Sequence, residues 1–214
     1  MTTLKRLNLK HQLLRQFPEH EHAYIQRAFE GDADAGETLS YCRSYEDAAA
    51  LAVEMFRVKM PRTVYGRFLE SLWSMDHGAV IEAAQTQRTL YGMFRYAAYG
   101  LDELPKGDTV RIYRGTSGVS EYRAASGHSW TTDRGVAAFF ATIYRPSGAP
   151  LVIAADVPRE DVLMYTNGRG EAEVLLEYVP RGVRVTGTPE DWSAWGKEWN
   201  DSKNARQQAL LKAA

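Results

Sequence analysis

The chain has 214 residues, 44% of them hydrophobic, which is enough to bury a core as one domain or as one domain with an appended subdomain. Its formal net charge of -1 gives no global basic field that would attract nucleic acid or an anionic membrane. The single cysteine excludes an intrachain disulfide and a zinc site built from cysteines.

The N-terminal sequence and the hydropathy predict a cytoplasmic protein without a membrane partner. Residues 1–10 mix three basic side chains with scattered leucines, and they lack the apolar stretch and cleavage site of a signal peptide. No apolar run approaches the roughly 20 residues that cross a bilayer. One alternative stays open, because a protein exported by a dedicated machine also lacks a signal peptide.

Helical periodicity dominates residues 1–104. Apolar residues recur at intervals of three and four in four stretches, which are 4–17, 48–56, 64–73 and 80–97. Ser44 lies three residues before an acid, an arrangement that is typical of a helix N-cap. We therefore predict a helical segment that packs on, or forms a lobe of, the same domain as the rest of the chain.

From residue 105 to residue 190 the pattern becomes strand-like, which makes the fold α+β. A turn cluster at 105–108 marks the change, and Asp133 can cap the one helix that interrupts the strands. The predicted strands are Thr109–Arg114, His128–Thr131, Leu151–Val157, Val162–Tyr165, Ala172–Val179 and Val183–Thr186.

The last segment, 191–214, is predicted to be a helical tail. Trp192, Trp195 and Trp199 recur at intervals of three and four, so they share one face of the helix. We expect this face to pack on the domain in preference to binding a ligand.

An arginine ends the first predicted strand, in the sequence Val110–Gly115. The guanidinium of Arg114 offers a fixed fork of donors for a phosphate or a carboxylate, although a structural ion pair is an alternative. Gly115 permits the close approach of a ligand to the backbone. Tyr113 can line a cofactor cleft or simply pack.

The second predicted strand carries two hydroxyl side chains. Ser129 and Thr131 point to the same side of that strand, because side chains alternate between its faces. Hydroxyls in such a place can hold a neighbouring carboxylate in one rotamer. Ordinary polar residues of a strand would give the same pattern.

Two acids precede an apolar strand in the stretch 168–178. Alternation places Glu171 and Glu173 on one face and Ala172, Val174 and further apolar residues on the other. A solvated strand end would give the same pattern, so the acidic pair indicates a functional site only in combination with the other two motifs.

Taken in order, Arg114, Ser129-Trp130-Thr131 and Glu171-Ala172-Glu173-Val174-Leu175-Leu176 resemble the Arg-Ser-Glu (cholera-toxin-like) class of mono-ADP-ribosyltransferases. The resemblance covers about residues 108–186 and does not extend to residues 1–100. Trp130 replaces the middle residue of the commoner Ser-Thr-Ser form, and of the two hydroxyls we favour Ser129 as the important one. The resemblance implies a split β-sandwich that binds NAD+ as a substrate in a cleft between two sheets.

The resemblance also implies catalytic roles for three residues. Glu173 would stabilise the positive charge that develops on the ribose when its bond to nicotinamide breaks. Ser129 would orient Glu173, and Glu171 would bind and deprotonate the incoming nucleophile. No metal is implied, and the acidic and histidine residues show no compact ligand spacing.

The cofactor-binding residues follow from the same likeness. Arg114 would anchor the phosphates of NAD+. Gly115, Ser129, Thr131 and Tyr113 would complete the contacts to NAD+ around it.

The acceptor of ADP-ribose is the less determined part of the prediction. A glutamate at the position of Glu171 accompanies arginine acceptors in the family, so a protein arginine is favoured. The turn 166–170 matches the family's target-recognition loop, and Arg169 within it is equally suited to a phosphate of RNA or DNA. An NAD+ glycohydrolase and a non-enzymatic binding module remain alternatives.

By analogy, the likeness suggests a bacterial or phage effector, or the toxin of a toxin-antitoxin system. An antitoxin or inhibitor protein would then be a partner. Residues 1–100 and the tail from Asp191 are where we expect contacts with a target or an antitoxin.

Overall fold

The computed structural model describes residues 2–144 and 146–213, and the fold is α+β as predicted. It divides into two compact units, Met1–Tyr99 and Gly100–Ala214. The predicted boundary between residues 104 and 105 lies inside the second unit. Leu104 is buried in the core of that unit, and the Arg159 guanidinium donates to the backbone oxygen of Leu101 at 2.7 Å. These contacts draw the preceding turn into the second unit.

The first unit is helical over its described residues. Its helices are α1 (Thr2–Gln16), α2 (His22–Glu30), α3 (Ala33–Tyr41), α4 (Tyr45–Arg57), α5 (Arg62–Ala84) and α6 (Gln87–Ala97). A 3-10 turn, Glu19–Glu21, precedes α2. Helix α5 is kinked at Asp76, whose φ of -150° and ψ of 86° are not helical. None of the helices that the structure describes is both long and apolar enough to cross a membrane.

Side-chain caps explain where α3 and α4 begin. Ser44 Oγ accepts a hydrogen bond from the Asp47 amide at 3.2 Å, which confirms the predicted N-cap of α4. Asp32 caps α3 in the same way, through the amides of Asp34 and Ala35. The apolar faces then meet in a core whose largest buried members include Tyr65, Phe68 and Phe94.

The second unit contains the sheet. Its strands are β1 (Thr109–Ser117), β2 (Ser129–Thr131), β3 (Pro150–Pro158), β4 (Val162–Thr166), β5 (Glu173–Leu176) and β6 (Arg184–Val185). Its helices are α7 (Glu121–Ala125), α8 (Arg134–Thr142) and α9 (Pro189–Ala213), with 3-10 turns at Leu101–Glu103 and Arg159–Asp161. All six predicted strands are present, with shifted ends.

The described strands form one antiparallel sheet in the order β4-β5-β2-β1-β3-β6. Strands β1 and β3 pair along their whole length, from Thr109 opposite Pro158 to Ser117 opposite Pro150. Strands β1 and β2, in contrast, pair only where Tyr113 lies opposite Thr131. The sheet therefore consists of two well-paired halves that meet at one short junction.

The two faces of the sheet are covered differently. One face holds an apolar core that includes Ile112, Trp130 and Val174. On the other face, α8 and α9 pack through a cluster of Ala137, Ala138, Ala141, Val152 and Trp192, with Tyr113 and Trp195 at its margin.

The tryptophan face of the tail packs on the domain as predicted. Trp192 and Trp199 are buried, and the Trp199 ring lies 4.9 Å from that of Phe139 in α8. The helix begins at Pro189, two residues before the predicted tail. Thr188 Oγ1 accepts from the Asp191 amide at 3.3 Å, and Asp191 accepts from the Thr188 amide at 2.9 Å. This reciprocal cap fixes the start of the helix.

Gly115 allows α8 to lie directly against β1. A Cβ atom placed on Gly115 would be 1.6 Å from the carbonyl oxygen of Ala137. No side chain fits there unless the helix moves away from the strand.

We expect Gly115→Ala to lower the free energy of unfolding by about 3 kcal/mol, because α8 must shift to admit the methyl group. Gly182→Ala is the matched control, since Gly182 also lies outside any helix, and a Cβ placed on it would have no neighbour within 4 Å. Its φ of 67° should cost only about 1 kcal/mol. Urea denaturation of the two variants measures the difference, and equal losses would contradict the packing explanation.

Candidate functional site

The three motifs come from adjacent strands of the sheet. Arg114 lies in β1, Ser129 in β2 and Glu173 in β5, and the order β5-β2-β1 makes these strands neighbours. Thr131 lies opposite Glu173 in the register of β2 and β5. Residues separated by 44 positions in the chain are thereby brought within hydrogen-bonding distance.

Glu173 is a buried carboxylate held by a serine. It is the first residue of β5, its exposed fraction is 9%, and its Oε1 accepts a hydrogen bond from Ser129 Oγ at 2.7 Å. Thr131 has a different contact, because its Oγ1 donates to the Glu171 backbone oxygen at 2.7 Å. The structure thus shows the expected contact between Ser129 and Glu173, while the catalytic roles of the two residues stay predictions.

Arg114 fills the gap where β1 and β2 separate. The Thr132 amide donates to Ala172 and the His128 carbonyl accepts from Leu176, so these two residues direct their backbone groups towards β5. The intervening Ser129 carbonyl therefore points towards β1, where it accepts a hydrogen bond from Arg114 Nη1. A side chain thus replaces the backbone donor that a continuous ladder would supply.

Arg114 is a buried cation, and one of its hydrogen-bond donors is not used by the described residues. Burial lowers the pKa of Arg114, and the nearby charge of Glu173 acts in the opposite direction. Its Nε is buried and makes no hydrogen bond to any residue that the structure describes. Gly127 makes room for the guanidinium, since a Cβ there would lie 2.2 Å from Arg114 Cζ.

Tyr113 and Gly115 have packing contacts in the structure. Tyr113 lies opposite Thr131, which lies opposite Glu173, so the register places these three side chains on one face of the sheet. Tyr113 packs against the cluster beneath α8 and α9, and the close approach at Gly115 is made by the Ala137 carbonyl. Contact of either residue with NAD+ stays a prediction.

The two glutamates lie in different secondary structure. The predicted strand Ala172–Val179 is shorter in the structure, where β5 runs from Glu173 to Leu176. Ala172 has a φ of 47°, a left-handed conformation that a strand cannot contain. Glu171 is therefore the end of a loop and Glu173 the beginning of a strand.

Both carboxylates nevertheless point to the same place, as predicted. Arg169 Nη2 lies 2.8 Å from Glu171 Oε2 and 3.6 Å from Glu173 Oε2. Lys203 in α9 adds a second cation, with its Nζ 3.9 Å from Glu171 Oε1. The acidic pair is thus a site for a guanidinium, occupied by one from the protein's own loop.

Glu171 is the titratable member of the group with a raised pKa. Burial is the main cause, and the neighbouring charge of Glu173 adds to it. Arg169 and Lys203 act in the opposite direction without cancelling the effect. A carboxylate that holds a proton more readily than usual suits a group that accepts one during a reaction.

Sequence reasoning missed three contributors to this site. Gly127, Lys203 and the inward direction of Arg169 were not anticipated. Lys203 follows the motif by some thirty positions on a helix recognisable only by its propensity, so nothing local signalled it. Gly127 gave a detectable signal, since a glycine before a strand often marks close approach of another group.

Two other features lie outside this site. A cavity of about 590 Å³ is bordered by Asp156, Glu160, Asp161, Tyr178 and Arg181, among others, and by none of the predicted site residues. Within residues 2–144 and 146–213, no three His, Cys, Asp or Glu side chains converge as metal ligands would.

Comparison with protein-family models, with curated proteins and with solved structures found no significant match to this chain. A functional proposal therefore depends on the motifs and on the geometry of the site.

The raised pKa of Glu171 predicts a pH-dependent stability. The folded state keeps its proton to a higher pH than the unfolded chain, so this group's contribution to stability falls as pH rises above about 4.3. We expect Glu171→Gln to gain stability relative to the wild type across that rise. Urea unfolding at a series of pH values measures the difference, with the exposed Glu160→Gln as control. A difference between Glu171→Gln and wild type that stays constant with pH would contradict the assignment.

Proposed function

We propose that this protein is an NAD+-dependent mono-ADP-ribosyltransferase that acts on a protein arginine and releases nicotinamide. The observation that carries the proposal is the hydrogen bond from Ser129 Oγ to the buried Glu173, beside the buried guanidinium of Arg114. These three residues follow the order of the family's motifs along the chain. They lie close together in the fold, although they come from three different strands.

Glu173 supplies the electrostatic part of the chemistry. As the bond between nicotinamide and ribose breaks, its carboxylate stabilises the positive charge on the ribose carbon. The Ser129 hydroxyl fixes the carboxylate in one rotamer, so little reorganisation is needed when the charge develops. The low exposure of Glu173 keeps water from screening that interaction.

Arg114 is suited to the phosphates of NAD+. Its Nη1 is used by the Ser129 carbonyl, whereas its buried Nε has no hydrogen bond within the described residues. A phosphate oxygen would satisfy that donor and offset the cost of burying the cation.

The separation of β1 and β2 supports a cleft of the kind that the family resemblance implies. Backbone pairing stops on both sides of the junction between Tyr113 and Thr131, and Arg114 lies in the opening. A split β-sandwich with NAD+ at this opening is the finer description that we propose for the sheet.

Glu171 favours an arginine as the acceptor. Its carboxylate already holds a guanidinium 2.8 Å away, which is the geometry that an acceptor arginine needs. The same contact turns the charge of Arg169 towards the carboxylates and away from a nucleic-acid phosphate. A protein arginine is therefore the better-supported acceptor.

A toxin or effector role, with an antitoxin or inhibitor as partner, is the biological setting that we propose. Its support is the family resemblance alone.

We expect Glu173→Gln to lower the rate of nicotinamide release from NAD+ by about 100-fold or more, because the amide keeps the shape but loses the charge. Ser129→Ala should give a smaller loss, since the carboxylate remains without its fixed rotamer. Release of nicotinamide measured by chromatography is the readout, and circular dichroism checks the fold. Glu160→Gln serves as control. Turnover by Glu173→Gln within a few-fold of wild type would overturn the proposal.

The acceptor class is tested with labelled NAD+ and a cell lysate. We expect the label to resist nuclease and to be lost on protease digestion, and Glu171→Gln to transfer much less label while still releasing nicotinamide. Label removed by nuclease would indicate an RNA or DNA acceptor. Nicotinamide release at one rate with and without macromolecules would indicate a glycohydrolase.

A further inference from the structure

One arginine of the chain already occupies the position of an acceptor. Arg169 Nη2 lies 2.8 Å from Glu171 Oε2 and 3.6 Å from Glu173 Oε2. These are the two carboxylates to which we assign nucleophile activation and stabilisation of the ribose cation. A single nitrogen atom is thus held between the group that would take its proton and the group beside the reacting carbon.

The loop that carries Arg169 is fixed at both ends. The Gly170 amide donates to the Asn167 carbonyl at 2.9 Å, which closes a turn around Arg169. Asn167 Oδ1 accepts from the Ala172 amide at 3.1 Å, and Thr131 Oγ1 donates to the Glu171 carbonyl at 2.7 Å. The last of these bonds ties the loop to β2, and the ordered turn places Arg169 next to the carboxylates that its side chain contacts.

The Arg169 side chain reaches solvent although its two partners do not. It is 49% exposed, whereas the side chains of Glu171 and Glu173 are 15% and 11% exposed. Lys203 supplies Glu171 with a second cation from α9. Because of its exposure, a group attached to Arg169 can extend into solvent without entering the core.

We propose that Arg169 is an internal acceptor, so that the protein attaches ADP-ribose to its own recognition loop. This inference rests on the proposed transferase function. The bond between nicotinamide nitrogen and ribose C1′ breaks, and its electron pair leaves with neutral nicotinamide. A bond forms between C1′ and Arg169 Nη2, which loses one proton to Glu171. The products are nicotinamide, a proton and ADP-ribosylated Arg169.

The experiment uses the purified full chain and NAD+ with no other macromolecule. Peptide mass mapping after trypsin should find one ADP-ribose on Arg169, together with a missed cleavage there. Arg169→Lys should lower total incorporation by more than about tenfold, because lysine lacks the guanidinium nitrogen. Arg181→Lys, which changes an exposed arginine outside the site, should match the wild type. Glu173→Gln should carry almost no label.

A dilution series separates an internal reaction from one between two copies. The modified fraction at a given time should stay constant when the protein is diluted about tenfold, because the reaction is unimolecular. A fraction that falls with dilution would overturn the internal assignment. Label on other residues, or unchanged incorporation by Arg169→Lys, would overturn the choice of Arg169.

Agmatine, a small guanidine, distinguishes this inference from the function on which it rests. A wild-type protein that modifies agmatine but never Arg169 would refute only the internal acceptor. A protein that releases no nicotinamide from NAD+, with or without agmatine, would refute the transferase itself.

Discussion

The site depends on the place where β1 and β2 stop pairing. An antiparallel ladder that continued past Tyr113 and Thr131 would satisfy the Ser129 carbonyl with a backbone donor and would leave no opening. Arg114 takes over that task, so the sheet gains a buried cation at the cost of local pairing. The cation and the buried Glu173 then make each other's burial less unfavourable, because each lies in the other's field. The break in pairing between β1 and β2 thus determines both the local backbone hydrogen bonding and the placement of the Arg114 and Glu173 charges.

The sequence predicted the secondary-structure elements well, because these follow from local patterns. Periodicity located all six strands, and Ser44 and Asp133 were recognisable as caps. The Ser129–Glu173 contact was expected only from the family resemblance of three motifs in order. How these elements pack was harder to predict. The contact between Gly115 and α8 depends on tertiary packing, and the local sequence pattern does not indicate the left-handed conformation of Ala172 that shortens β5.

Long-range charges were the other unpredictable part. Arg169 was visible as a loop cation, yet only the folded turn determines that it points inward to the glutamates. The contribution of Lys203 depends on how α9 packs over α8, which the tryptophan face of the tail explains in retrospect. The pKa of Glu171 is the sum of burial and three such neighbours, so it could not be anticipated from sequence spacing.

The left-handed Ala172 has a consequence for how the site can change. It separates Glu173, the first residue of β5, from the segment 167–171, which belongs to a loop. A different loop that kept the Asn167–Ala172 and Thr131–Glu171 hydrogen bonds would leave the strand and its serine contact in place. Under the proposed function, residues 167–170 are therefore the part of the site in which a change of acceptor preference would leave the Ser129–Glu173 pair unaltered.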